Sequence, residues 1–298
     1  GPRLSPPPEA RAAVDVILVD LVDVGTRVYT FAATLAKVME AAAPLGKKVV
    51  VLDRPNPISG TAVEGNLLRP EWASIVGPYP LPMRHGFSLG ELTRYYNVTQ
   101  NIGCDLTVIP AAGWRRSDYH DATELPWVLP SPNLPTLDAA IVYPGQVLLE
   151  GTNLSEGRGT TRPFELFGAP FLEPGRILDR LRAIDLPGVI LRTACFEPTF
   201  HKFAGELCRG LQLHVTNRQT FKPYFTTLAL LSAAPSGATI RTPTNAAAGP
   251  ANAAAPRSGK ATCAPRAGLR RAGRAAGRRR APSRAGPVLP ITPWTTGR

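Results

Sequence analysis

The sequence predicts an α/β protein in three parts: a parallel-sheet domain over residues 1–128, a smaller mixed α+β domain over 129–231, and a disordered tail over 232–298. Three observations predict this. Short apolar, β-branched runs alternate with helical periodicity in the first part. Polar, Gly-punctuated loops separate shorter strands and helices in the second. After Leu231 hydrophobic periodicity ends.

Val14 to Val19 reads as a buried strand broken only by Asp15, and it ends in Asp20, Asp23 and the turn residue Gly25. Tyr29 to Ala43 is Ala-rich with Leu35, Val38 and Met39 at helical spacing, and Gly46 is its stop. Lys48 to Leu52 is a second strand, running into Asp53, Arg54 and Asn56. Strand, helix and strand with short connections make a βαβ unit, with parallel strands and a right-handed crossover. Ile58 to Phe87 is rich in Gly and Pro and reads as a long ordered loop. Ser88 and Glu91 form a capping box that opens a helix reaching about Asn101. Asp105 to Ile109 is a third strand, and Pro110 to Pro135 is irregular.

In the second part, Glu150 to Glu165 is read as too charged to be core. Glu173 to Ile184 fits a helix, Gly188 to Arg192 a strand and Leu211 to Val215 another. Asn217 is predicted to cap a helix reaching Leu231, kinked near its first turns by Pro223.

The net charge of +12 is confined to one end. From Ser232 onward there are 12 Lys and Arg and no Asp or Glu, leaving 22 basic against 22 acidic residues before it. The folded part is therefore neutral, and no specific nucleic-acid partner is expected for it. The tail cannot bury enough apolar surface to offset its ordering entropy. It reads as a nucleic-acid-binding arm, as a segment with no evolved role, or, the reading we favour, as frameshifted read-through of a GC-rich gene. No apolar run approaches the roughly 18–20 residues of a membrane helix, and no basic-then-apolar leader follows Gly1. Cys104, Cys195, Cys208 and Cys263 form no C-x-x-C pair, and the four histidines lack zinc-ligand spacing. Buried free thiols are expected, with a Cys195–Cys208 disulfide as the alternative; no metal is expected.

In parallel sheets ligands bind at the carboxyl ends of strands. Asp20, Asp23, Arg27 and Tyr29 follow the first strand; Asp53, Arg54 and Asn56 follow the second; Trp114 follows the third. For each carboxylate the alternative is a loop-ordering hydrogen bond or an ion pair. No G-x-G-x-x-G, Walker loop or G-x-S-x-G elbow is present, so neither a nucleotide cofactor nor a serine-nucleophile hydrolase is supported. The abundance of carboxylate, amide, Arg and aromatic groups suits a sugar, whose glycosidic bond is cleaved with a protonated carboxyl and a second carboxylate. The densest cluster runs from Glu150 through Asn153, Glu156 and Arg158 to Thr161, with a self-bonded loop as its alternative. Arg84 and His85 precede the capped helix. His85 could orient substrate or transfer protons, or simply satisfy a hydrogen bond near the helix start.

Several stretches together resemble the exo-β-N-acetylmuramidases of bacterial cell-wall recycling, long catalogued as a domain of unknown function. They are DLVDVGTRVYTF (20–31), VVVLDRPNPISG (49–60), VEGNLL (63–68), PLPMRHGFSLGEL (80–92), LPSPNLPTLD (129–138) and YPGQVLLEGTNLSEGRGTTRPFELFGAP (143–170). A weaker match runs to about Leu231. The resemblance implies a Rossmann-like domain without a dinucleotide, a smaller C-terminal domain and a cleft between them. It implies an exported hydrolase that releases N-acetylmuramic acid from non-reducing ends of peptidoglycan fragments, with muropeptides or MurNAc-GlcNAc as ligands and no cofactor. Carried onto this sequence, Asp23, His85, Glu150 and Glu156 are the catalytic candidates. Arg27, Tyr29, Glu64, Arg84, Asn133, Asn153 and Arg158 are the substrate-binding candidates.

This chain departs from the family pattern twice. The family carries, ahead of the matched segment, an α/β portion with a Glu-His-Gly motif that has no counterpart here, and its domain continues where this chain turns into the Arg/Ala tail. The expectation is therefore an incomplete sheet with an exposed, aggregation-prone edge, and little or no turnover. A non-catalytic muropeptide-binding protein is the alternative function.

Overall fold

The computed structural model describes residues 13–234; the predicted disordered tail lies almost wholly outside them. Two three-stranded sheets form the framework. The first contains β1 (Val16–Val19), β2 (Lys48–Leu52) and β3 (Leu106–Ile109), all parallel in the order β1-β2-β3. The crossovers carry α1 (Thr30–Ala42) and α2 (Leu89–Thr99). Two right-handed crossovers moving in one direction place both helices on the same face of the sheet.

Leu35 and Met39 of α1 and Leu89 of α2 pack on Val19, Val49 and Val51, with Ile17, Leu106 and Val108 at the margin. Each fully buried Leu or Met contributes roughly 1.5–3 kcal/mol. Ser88 caps α2 as the sequence predicts: its hydroxyl accepts from the Glu91 amide, and Glu91 accepts from the Ser88 amide at 2.9 Å. The Ser88 hydroxyl also donates to Asp53 at 2.8 Å, and Asp53 accepts the Gly90 amide at 2.7 Å. Asp53 thus ties the end of β2 to the start of α2.

The opposite face of this sheet is largely bare among the described residues. Val16 and Leu18 on β1 are 50% and 63% exposed, and Ile109 on β3 is 48% exposed. Among the described residues β1 and β3 are the outer strands of this sheet.

The second half contains α3 (Leu137–Gln146), β4 (Leu166–Ala169), α4 (Pro174–Arg180), β5 (Val189–Phe196), β6 (Cys208–Val215) and α5 (Pro223–Ala233). β6 lies between β4 and β5 and is antiparallel to both. Leu211 and Leu213 face a core shared by α3, α4 and α5, while Cys208 joins Leu166 and Phe196 on the other face. Val24, Tyr29, Ile58 and Met83 from the first half belong to that same large cluster. The two halves therefore meet through a continuous apolar core.

Several expectations need correction. α5 begins at Pro223, whose fixed φ and missing N–H suit a first helical turn, so the proline starts the helix and does not kink it. Asn217 orders the preceding turn by accepting from the Gln219 and Thr220 amides. α3 and β4 were not anticipated. The register of β5 and β6 sets Cys195 opposite Arg209 and Cys208 opposite Phe196. The two side chains point to opposite faces of the sheet and Cys208 is a free thiol, so the Cys195–Cys208 bridge does not form; Cys104 is a buried free thiol as well. The segment read as too charged for core is largely buried: Thr152, Leu154, Ser155 and Glu156 are each 3% exposed or less.

Candidate functional site

The loops at the carboxyl ends of β1 and β2 are stitched to the long loop that precedes α2. Backbone bridges join Thr26 and Glu64 to Arg84, the Arg27 amide donates to Met83 at 2.8 Å, and the His85 amide reaches the Gly25 carbonyl at 3.3 Å. Gly25 makes this possible. Its φ is +74°, and a β-carbon there would lie 2.6 Å from Asn56 Oδ1 and 2.7 Å from Ile58. Not every polar group at these strand ends faces the loops so formed. Asp20 and Arg54 form a two-pronged ion pair at 2.7–2.8 Å on the surface, and Asp53 is committed to α2.

Asp23 and His85 are brought together and buried, with side chains 4% and 0% exposed. The Gly25 amide donates to Asp23 Oδ2 at 2.7 Å. His85 Nδ1 accepts the Phe87 amide at 3.1 Å, which leaves the ring proton on Nε2, 3.2 Å from Asp23 Oδ2. That approach is close but poorly directed, and neither His85 Nε2 nor Asp23 Oδ1 makes a hydrogen bond. Buried polar atoms without partners are uncommon in folded proteins. Thr26 Oγ1, Arg27 Nε and Arg84 Nε share this state, so five such atoms gather on two short facing segments.

Arg27 donates to the carbonyls of Asn66 at 2.9 Å and Leu81 at 2.6 Å, and burial pulls its guanidinium below the usual range. Arg84 donates to the Ile58 carbonyl at 2.5 Å. Tyr29 donates to the Pro130 carbonyl at 2.6 Å; burial, with the Asp23 charge adding to it, pushes its phenol up to about 12. Glu64 accepts the Tyr224 amide at 2.8 Å and so caps the start of α5. Burial raises its carboxyl above the ordinary range, against the opposing pull of that hydrogen bond and of Arg84.

The second half contributes a charge cluster. Glu156 is fully buried, and three basic side chains converge on it: Arg158 Nε at 3.2 Å, His201 Nδ1 at 3.2 Å and Lys202 Nζ at 3.1 Å. Lys202 also donates to the Leu149 and Leu154 carbonyls at 2.8 and 2.9 Å. It thereby closes the loop between the turn at Val147–Gly151 and Glu156. Arg158 pairs with Glu150 at the solvent edge and lies over the Phe164 ring, 5.3 Å from its centroid. Asn153 sits half-buried in the same loop. The Asn133 amide bonds Ser131 Oγ at 3.5 Å in the turn beyond Pro130.

Tyr143 connects the two groups. Burial pushes its phenol well above the ordinary range; Glu150 adds to the rise and Arg158 opposes it, with further contributions from Tyr29 and Asp23. Its ring meets that of Phe164, over which Arg158 lies, edge-on at 4.7 Å, and it shares the large apolar cluster with Tyr29. Tyr143 opens the longest matched run, and His201 and Lys202 lie in the weaker match, but nothing in their spacing singled them out. Arg116, which donates to the carbonyls of Gly60 and Gly86 and pairs with Glu91, was equally silent. Among the described residues no group of three or more His, Cys, Asp and Glu is placed to hold a metal ion, and no helix is long and apolar enough to cross a membrane.

Parallel and antiparallel sheets on a shared core, with polar loops of both halves meeting around Tyr143, define a two-part α/β protein with a charged junction. Comparison with known proteins narrows the class. The N-terminal domain of the exo-beta-N-acetylmuramidase NamZ family matches residues 1–138, and its C-terminal domain matches residues 141–244. The chain belongs to that family. It is 49% identical over 231 residues to the peptidoglycan beta-N-acetylmuramidase NamZ of Bacillus subtilis (strain 168), covering 78% of this chain and 56% of that protein. It thus spans little more than half the length of that relative. Two crystal structures of DUF1343 family proteins from Bacteroides fragilis NCTC 9343 share the fold. One has a TM-score of 0.75 at 33% identity, over 78% of this chain and 62% of the other. The second has a TM-score of 0.60 at 29% identity, over 75% and 67%.

Proposed function

We propose that this chain carries the sugar-binding cleft of an exported exo-β-N-acetylmuramidase, which releases N-acetylmuramic acid from the non-reducing ends of peptidoglycan fragments. The observation that carries the reading is the buried Asp23–His85 pair, with partnerless polar atoms of Thr26, Arg27 and Arg84 on the same two facing segments, in a chain matched by both domains of the family. Glycoside cleavage requires one group to protonate the leaving oxygen and another to assist on the opposite side of the ring. Asp23 has an oxygen without a partner, and His85 has a proton without an acceptor; these are the groups best placed to hold or move a proton. Glu150, at the open edge, is the second carboxylate. Glu156 anchors its loop through Arg158, His201 and Lys202, and Arg158 positions Glu150. Arg27, Arg84 and Tyr29 hold the walls, and the unpaired Nε–H groups of the two arginines suit a carboxylate or acetamido oxygen. Glu64 acts at a distance, as the cap of α5.

Calorimetry with MurNAc-GlcNAc and hydrolysis of a chromogenic β-N-acetylmuramide test this reading together. Binding that is lost on Arg84→Ala supports the cleft, and absence of binding by the folded chain overturns it. A non-catalytic muropeptide-binding role is the second reading. The commitment of Glu156 and Glu150 to cations favours it, and binding without any hydrolysis is its signature.

A further inference from the structure

Between Val63 and Gly77 the chain forms an ordered loop with an apolar tip. Val63, Leu67, Trp72, Ile75 and Val76 are all between 45% and 62% exposed. The loop is held in shape: Pro70–Trp72 form a turn of 3-10 helix, and Ser74 and Gly77 exchange backbone hydrogen bonds at 2.9 and 3.0 Å. Its base is fastened to the candidate site, because Arg27 donates to the Asn66 carbonyl at 2.9 Å and Tyr224 donates to Asn66 Oδ1 at 2.7 Å. Solvent-exposed apolar side chains gathered on one rigid loop mark a binding surface far better than scattered ones do.

We propose that this loop docks the glycan strand beyond the sugar held at the Asp23–His85 loops, with the Trp72 indole stacked on a pyranose face. The proposal rests on the muramidase reading of the site and extends it to the polymer. An indole offers a flat apolar face with a polar N–H at its rim, which matches the alternating apolar faces and polar edges of a sugar ring. Leu67, Ile75 and Val76 around it are suited to acetamido methyl groups. The charge of the loop points the same way. Arg69 and Glu71 stand 3.9 Å apart and offset one another, so the tip has no net charge with which to attract a polyanion or an anionic lipid surface. Attachment through Arg27 makes the loop continuous with the cleft, where a strand threading outward would pass.

Calorimetric titration of the full chain with MurNAc-GlcNAc and with soluble, uncrosslinked glycan strands tests the proposal, alongside Trp72→Ala and Trp72→Tyr. Trp72 is exposed, so neither substitution disturbs the core. Strands are expected to bind more tightly than the disaccharide. Trp72→Ala should weaken strand binding roughly 3- to 10-fold, the range of one lost aromatic contact, and leave the disaccharide within about two-fold; Trp72→Tyr should restore most of the strand affinity. Unchanged strand affinity in Trp72→Ala overturns the proposal. So does a change in molar mass by light scattering without a change in strand affinity, which would make the loop a self-association face. A wild-type chain that binds neither ligand overturns the muramidase reading, and the proposal with it.

Discussion

Replacing Lys202 by Met keeps most of the side-chain volume and removes the ammonium that closes the Glu150–Arg158 loop. Four contacts disappear: those to the carbonyls of Leu149 at 2.8 Å, Leu154 at 2.9 Å and Glu150 at 3.4 Å, and to the Glu156 carboxylate at 3.1 Å. A hydrogen bond to a charged group contributes about 1.5–3 kcal/mol, and a buried acceptor left without a donor costs a similar amount. The Lys202 side chain is 18% exposed, so water can take over part of the lost bonding, and Arg158 and His201 still face Glu156. The sum is therefore nearer the low end, about 3 kcal/mol. For a domain of this size that lowers Tm by roughly 6–12 °C. Urea denaturation followed by circular dichroism measures it, with Lys202→Arg as the control that keeps the charge. A double-mutant cycle with Glu156→Gln should return a coupling above about 1 kcal/mol, because the two groups act on each other directly. A loss below about 1 kcal/mol for Lys202→Met, or additive effects in the cycle, would refute the assignment of Lys202 as the clamp of this loop.

Two further outcomes follow from packing and burial. At Gly145, on the face of α3 that meets α5, a β-carbon would stand 2.0 Å from the Pro223 carbonyl oxygen; this is backbone at the start of a helix and cannot yield. Gly145→Ala should therefore cost more than about 3 kcal/mol, beyond ordinary overpacking, as read from the urea midpoint. Tyr29 is held neutral by burial, with its phenol pushed up to about 12 in the folded protein against about 10 when unfolded. The folded state resists losing this proton, so the stabilisation is complete below about pH 10 and is lost as pH rises through 12. Tyr29→Phe should flatten that part of the alkaline stability profile, which equilibrium unfolding at stepped pH will show, and should cost about 1 kcal/mol at neutral pH for the bond to Pro130.

The first half of the protein was legible because its signals are local. The apolar run Lys48–Leu52 is a strand with those same bounds, and the Ser88–Glu91 box caps α2 where spacing placed it. α3 and β4 escaped notice for a physical reason: Pro144 lies inside α3, and β4 is four residues buried on every side, so neither shows the periodicity that one solvent-facing side would produce. Burial of Glu156 was misread on similar grounds. Charge along the chain argues against a core position, and only the convergence of Arg158, His201 and Lys202 makes the burial tolerable.

By itself the sequence determined the βαβ beginning, the strand-end placement of Asp23, the position of His85 just before the capped helix, and the family to which the chain belongs. These rest on residues close together in the chain or in long matched runs. Only the tertiary structure decided which carboxylates are committed elsewhere. Asp53 was drawn to α2, Asp20 to Arg54 and Glu64 to α5, while Asp23 and Glu156 each keep one buried oxygen without a hydrogen bond, the first beside His85 and the second among Arg158, His201 and Lys202. Those assignments depend on groups brought together from 34 to 160 positions apart, and such distances are set by the packing of the two halves on their shared core.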